Sequence, residues 1–182
     1  MLEKNRNGKK VNITKLTPLK EVLQLAHPCS CKACSIGCMH GSGSLSNEDI
    51  PKIAEFLQIS EDELKNKFLE ELRKFNTKNF RPKILRKDKP YGKCIFYDEK
   101  NGCKIHEVKP LECKVSMGCK DYGEKISLWF MLNYFVNKDD AESIRQYASY
   151  LKTGGKTLDG AKLEELVPDK EKLKKILNYE IM

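Results

Sequence analysis

The sequence predicts an α+β fold that is mainly α: a small helical domain with a short β-hairpin and a cysteine-rich loop around a metal centre. Three observations carry this. Apolar residues recur at helical spacing in several separate segments. Asn101-Gly102, between two short β-prone runs, is a strong hairpin signal. Eight cysteines fall in two groups. Cys29, Cys31, Cys34 and Cys38 crowd into "HPCSCKACSIGCMHGSG" at 27–43, and Cys94, Cys103, Cys113 and Cys119 follow later.

Taken in order, residues 1–16 are rich in Lys and Asn and read as a loosely ordered basic arm. "TPLKEVLQLAH" reads as a helix, with Thr17 as N-cap, Pro18 in the first turn and Leu19, Val22, Leu23 and Ala26 on its apolar face. The cysteine loop follows. "NEDIPKIAEFLQI" reads as a second helix, capped by Ser46 or Asn47 and buried through Ile50, Ile53, Ala54 and Leu57. "SEDELKNKFLEELRKF" reads as the clearest helix. Ser60 and Glu63 make a capping box, and Leu64, Phe68, Leu72 and Phe75 make one face.

Two prolines make 78–93 extended. A hairpin with a four-residue loop at 99–102 pairs Phe96 with Ile105 and Cys94 with Glu107, placing Cys94, Phe96, Cys103 and Ile105 on one face. Pro110 starts a short helical turn, residues 124–136 form a buried helix carrying Trp129, and Gly154 ends a helix that begins near Asp140. A last amphipathic helix lies in "DKEKLKKILNYEIM". The expected organisation is an arm (1–16), a cysteine-cluster metal-binding domain (17–123) and a helical segment packed on it (124–182).

The chain has 182 residues, enough for a real core without staples, and a formal net charge of +8. No apolar run approaches a membrane span, and the charged start lacks the apolar stretch of a secretory signal. The expectation is a cytoplasmic protein with no membrane contact. In a reducing compartment eight cysteines are poor disulfide partners and good metal ligands. Thiolate formation lowers the positive charge without removing it. The remaining charge is compatible with nucleic acid or an acidic partner and requires neither.

Thiolates two and three residues apart can wrap one ion or cluster without strain. The candidate ligands are Cys29, Cys31, Cys34, Cys38, Cys94, Cys103, Cys113 and Cys119. Two closed zinc sites would use all eight. The tight leading group also resembles cysteine runs that hold iron–sulfur clusters, with Gly37, Gly41 and Gly43 allowing close backbone approach. The cofactor expected is an iron–sulfur cluster, of the 4Fe–4S type, or Zn²⁺, with a slight preference for the cluster.

The order "CKACSIGC", "GSGSLSNEDIPKIAEFLQIS" and "KCIFYDEKNGCKIHEVKPLEC" resembles the YkgJ-type cysteine-cluster family, a domain proposed to chelate zinc or iron. The resemblance covers about residues 29–119. It implies that Cys31, Cys34 and Cys38 match the leading cysteines and that Cys94, Cys103 and Cys113 match the hairpin and Pro-x-x-Cys positions. Gly37 stands where relatives carry a cysteine, which makes Cys29 the candidate replacement. Lys109 replaces the family Arg, and His106 replaces a Tyr and is not a ligand candidate. The resemblance implies a metal or iron–sulfur centre. The expectation is an accessory or redox module with a protein partner. A related cysteine domain in flagellin lysine N-methylases implies a protein lysine N-methylase-like enzyme as the alternative.

Lys78, Arg81, Lys83, Arg86, Lys87, Lys89 and Lys93, with Phe80 and Tyr91 between them, allow a third reading as a zinc-stabilised nucleic-acid or protein adaptor. A solvated charged strand explains that strip better. "GGKT" at 154–157 lacks the first glycine of a phosphate loop and reads as a helix end. His27 and His40 flank the cysteines, with helix end and turn as the simpler roles. No catalytic arrangement is legible, so catalytic residues remain unassigned and the enzyme question open.

Overall fold

The structure is a computed structural model and describes residues 12–181. Most of the arm therefore lies outside the described residues. Among them are nine α-helices and six short strands, the strands paired in three two-stranded antiparallel sheets. The mainly helical α+β class is as the sequence predicts.

Two apolar cores organise the chain. The first gathers α1 (Leu19–Leu25), α5 (Leu111–Val115), α6 (Gly123–Tyr134), α7 (Ala141–Lys152) and α9 (Lys170–Leu177) around Ile126, Phe130, Leu132, Ile144 and Tyr147. Each fully buried side chain of this size contributes about 1.5–3 kcal/mol. The last residues of the expected arm touch this core, although Leu16 stays exposed. Ile13 is buried in this core, and the Lys15 N–H donates to the Asp159 carbonyl. Trp129, core as expected, donates its indole N–H to the Thr17 carbonyl at 2.8 Å. Thr17 does not cap α1; its Oγ1 accepts from the Thr14 N–H, and Pro18 occupies the cap position.

The second core is formed by α3 (Asp49–Leu57), α4 (Glu61–Phe68), β1 (Leu69–Lys74) and the segments around Cys94, Phe96 and Ile105. Here the structure corrects the sequence reading most. The expected long helix from Ser60 stops at Phe68 and continues as strand β1, paired with β2 (Thr77–Pro82) in the register Lys74↔Thr77 to Leu69↔Pro82. Ser60 does cap α4 by accepting from the Glu63 N–H, while the Glu63 carboxylate turns instead to Lys67.

The turn residues Phe75 and Asn76 both have positive φ, 48° and 58°. That geometry is the tight turn suited to a strand hairpin, and it is unfavourable for a bulky residue. Tertiary contacts hold it. The Phe75 ring meets Tyr147 and Tyr150 edge-on, and Asn76 bonds Gln146 and Asp140. The helical spacing of Leu72 and Phe75 is thus overridden by packing on α7 and by β2.

Downstream, β3 (Ile84–Leu85) pairs with β4 (Lys93–Cys94), and β5 (Tyr97–Asp98) pairs with β6 (Gly102–Cys103). The hairpin at Asn101-Gly102 exists, but one residue out of the expected register: Tyr97 faces Cys103 and Asp98 faces Gly102. The Asp98 carboxylate accepts from the Lys100 and Asn101 N–H groups, which tightens the loop to three residues. Cys94 pairs with Ile84 rather than Glu107. Cys94, Phe96 and Ile105 are still buried together, with Cys103 packed against them.

Candidate metal centre

The cysteine-rich segment is not a loop. Residues Lys32–His40 form helix α2, with Cys31 at its N-cap position. Cys34 and Cys38, four residues apart, share one side of it. The sulfurs of Cys29, Cys31, Cys34 and Cys119 all lie within 4.8 Å of one another. Cys34 and Cys119 are 3.4 Å apart, and Cys29 and Cys119 are 3.7 Å apart. These separations are far beyond a disulfide bond, and all eight cysteines are unpaired. Zinc–thiolate bonds of about 2.3 Å on a tetrahedron put sulfurs about 3.8 Å apart. Four soft donors at this spacing fit one tetrahedral ion.

Two local features build this quartet. Gly118 lies so close to α2 that a Cβ there would meet the Ala33 carbonyl oxygen at 2.9 Å. That approach carries Cys119 to Cys34 across 85 residues of chain. Cys29 reaches the group from the segment between α1 and α2, half-buried against the first core. The backbone N–H of Cys34, then the Cys29 side chain, bring the Cys31 thiol down to about 7. Cys119 is pushed up to about 12, chiefly by the neighbouring Cys34. Cys34 is raised by burial. Cys31 is therefore the thiolate most available to capture an ion at neutral pH.

The other four, Cys38, Cys94, Cys103 and Cys113, line a cavity of about 650 Å³ that Cys29 and Cys34 also border. Cys38 comes from α2, Cys94 from β4, Cys103 from β6 and Cys113 from α5. Burial raises all four thiols, bringing Cys94 up to about 11. Backbone N–H groups face three of the sulfurs: Phe96 and Tyr97 at Cys94, Ile105 at Cys103 and Gly43 at Cys113. Of the three glycines expected to allow close approach, only Gly43 does so. A Cβ there would lie 2.7 Å from the Cys113 sulfur, whereas Gly37 faces open space and Gly41 has only ordinary contact.

Cys113 is held in place by a carboxylate that the sequence reading did not single out. Asp49 is 3% exposed at the start of α3. Its Oδ2 accepts from the Ser46 N–H, the Ser46 hydroxyl and the Leu111 N–H, at 2.7, 2.8 and 2.9 Å. Leu111 begins the helix that carries Cys113. Glu112 reinforces the tie by accepting from the Ser44 N–H. The only hint in the sequence was an acid just after Ser46 and Asn47.

His27, His40 and His106 line the same cavity, and none joins the Cys29 quartet. The His40 ring meets Tyr91 edge-on. In the basic strip, Arg81 and Arg86 both bind Glu70, lowering its carboxyl, while Lys78 pairs with Glu71 and Lys93 with Glu99. "GGKT" is a helix end, with Gly154 at φ 91°.

Residues 30–148 match the model of the family CxxCxxCC, whose description reads "Putative zinc- or iron-chelating domain". The chain belongs to this family. The match takes in every cysteine except Cys29 and extends through α6 into α7, beyond the stretch to residue 119 expected from the motifs. Family membership and the thiol cluster together support metal binding. No curated protein and no solved structure matches the chain. No helix among the described residues is long and apolar enough to cross a membrane.

Proposed function

We propose that the protein is a metal-dependent accessory module in which Cys29, Cys31, Cys34 and Cys119 hold one tetrahedral ion, zinc by donor type. The observation that carries this reading is the mutual approach of those four sulfurs within 4.8 Å. Four protein thiolates complete a tetrahedral shell and leave no position for a reacting water. Such a centre favours a structural or binding role over metal-assisted hydrolysis. It ties the loop after α5 to the start of α2, elements 85 residues apart in sequence at Cys34 and Cys119. The physiological role follows from that linkage: the ion sets the geometry of a cysteine-lined surface for a protein partner.

The test is metal analysis of the purified chain, followed by replacement with cobalt(II), whose thiolate absorption reports four sulfur ligands. The native chain should retain one tightly held ion at this quartet. Cys119→Ser should lose it or hold it at least tenfold more weakly. If Cys119→Ser binds as tightly as the native chain and shows the same spectrum, this ligand set is wrong.

A further inference from the structure

We propose that Cys34 and Cys119 are a redox-sensitive pair: a hydroperoxide oxidises them to a disulfide, which dismantles the thiolate quartet and releases its ion. The release rests on the single-ion reading; the pairing of the two sulfurs does not.

Proximity is the first argument. The Cys119 sulfur lies 3.4 Å from that of Cys34 and 3.7 Å from that of Cys29. Closing the shorter gap to a disulfide bond of about 2.05 Å takes a shift of about 1.4 Å, within reach of small side-chain rotations. The backbones are already placed for it. A Cβ at Gly118 would lie 2.9 Å from the Ala33 carbonyl oxygen and 3.9 Å from the Cys34 nitrogen. The three nearest atoms there all belong to Ala33 and Cys34, none to the segment of Cys29. The stretches that carry Cys34 and Cys119 are thus in direct contact, as the short Cα separation of a disulfide requires.

Access is the second argument. Cys119 is exposed and Cys34 half-buried, so an oxidant in solution meets Cys119 first. The Cys119 thiolate attacks the O–O bond of the hydroperoxide. That bond breaks, the attacked oxygen stays on sulfur as a sulfenic acid, and the other oxygen takes a proton and leaves as water or an alcohol. The Cys34 thiolate then attacks the Cys119 sulfur. The S–S bond forms, the S–O bond breaks, and hydroxide takes a second proton to leave as water. Two thiolates have lost two electrons, and the peroxide has gained them.

The consequence is the third argument. The thiolate is the metal ligand, so the disulfide removes two of the four donors. Cys29 and Cys31 alone do not complete a tetrahedral thiolate shell, and the ion leaves. The bridge takes over the tie between α2 and the loop after α5, across the same 85 residues of chain. Oxidation thus exchanges an ion for a covalent bond at one place and frees two thiols beside it. Since Cys119 is exposed, a thiol reductant reaches the bridge and reverses the exchange.

The experiment treats the zinc-loaded full chain, prepared anaerobically, with one equivalent of hydrogen peroxide. Released zinc is read with a chromogenic chelator, and bridges are mapped by mass spectrometry of unreduced peptides. About one zinc ion should leave for each disulfide formed, and the bridge should join the peptides of Cys34 and Cys119. Dithiothreitol with added zinc should restore the starting state. Zinc retained while peroxide is consumed, a bridge from Cys119 to any other cysteine, or oxidation to sulfinic acid without a bridge overturns the proposal. If the chain holds no zinc, the single-ion reading fails and the release with it. The same treatment of the reduced chain then decides the pairing: a bridge between Cys34 and Cys119 upholds it, and the absence of one overturns it.

Discussion

Replacing Asp49 tests whether the architecture around Cys113 rests on one buried carboxylate. Asp49→Ala removes an acceptor 3% exposed to solvent that serves three donors. Hydrogen bonds to a charged group contribute about 1.5–3 kcal/mol each, and three that share one oxygen do not add in full. The substitution also leaves the buried Leu111 N–H without its partner, at about 1–3 kcal/mol. Together these give a loss of about 3–5 kcal/mol, at the large end for a single change. Asp49→Asn keeps the shape and one good acceptor and should lose about half as much. Urea unfolding of the metal-loaded protein, followed by circular dichroism, measures both losses as a shift in midpoint at constant slope. A loss below about 1 kcal/mol for Asp49→Ala would refute the reasoning, since that is the scale of one surface hydrogen bond.

Gly43→Ala sets a Cβ against the Cys113 sulfur and backbone, so it should cost about 1–3 kcal/mol in the urea assay, and an unchanged midpoint would contradict the close approach. Among the described residues, nothing hydrogen-bonds the fully buried Ser44 hydroxyl, so Ser44→Ala should be neutral or stabilising. A loss above about 1 kcal/mol in the same urea assay would show that the hydroxyl has a partner. Metal affinity at the exposed quartet should rise with pH. Cys34 and Cys119 are held above the ordinary thiol value and must release protons to bind, whereas Cys31, brought down to about 7, adds a further proton only as pH falls below that point. Zinc competition against a chelator from pH 6 to pH 8 should therefore show a dependence that steepens below about pH 7. A flat profile would contradict the ligand assignment.

Local signals carried the parts of the fold that depend on local chemistry. The Ser60 cap, the Asn101-Gly102 turn, the Pro110 start of α5 and the Gly154 helix end all sit where their backbone preferences put them. What the sequence concealed was set by contacts between distant residues. Leu72 and Phe75 keep helical spacing with Leu64 and Phe68, yet β2 and the α7 aromatics draw them into a hairpin with an unusual Phe-Asn turn. The hairpin at 97–103 was legible as a turn and not as a register, because Asp98 closes a loop one residue shorter than the alternation suggested. The cysteines stood out by type, but not which of them meet. Spacing joined Cys31, Cys34 and Cys38, whereas Cys38 lies outside the group whose sulfurs approach within 4.8 Å. Cys29 and Cys119 are not among the six cysteines matched to the family pattern, yet they complete the tightest group. Their meeting depends on Gly118 packing against Ala33, a long-range contact that no local pattern encodes.

The central claim is that Cys29, Cys31, Cys34 and Cys119 together hold one metal ion. Thiol counting on the anaerobically purified chain tests it most directly. The native protein is treated with iodoacetamide, and each cysteine is read by mass spectrometry of the whole chain and its peptides, before and after metal is removed. The account predicts that Cys29, Cys31, Cys34 and Cys119 resist alkylation in the loaded protein and react once the metal is removed. It also predicts that Cys119→Ser exposes Cys29, Cys31 and Cys34. Free reaction of these four thiols in the native protein, or continued protection of Cys29, Cys31 and Cys34 in Cys119→Ser, would contradict it.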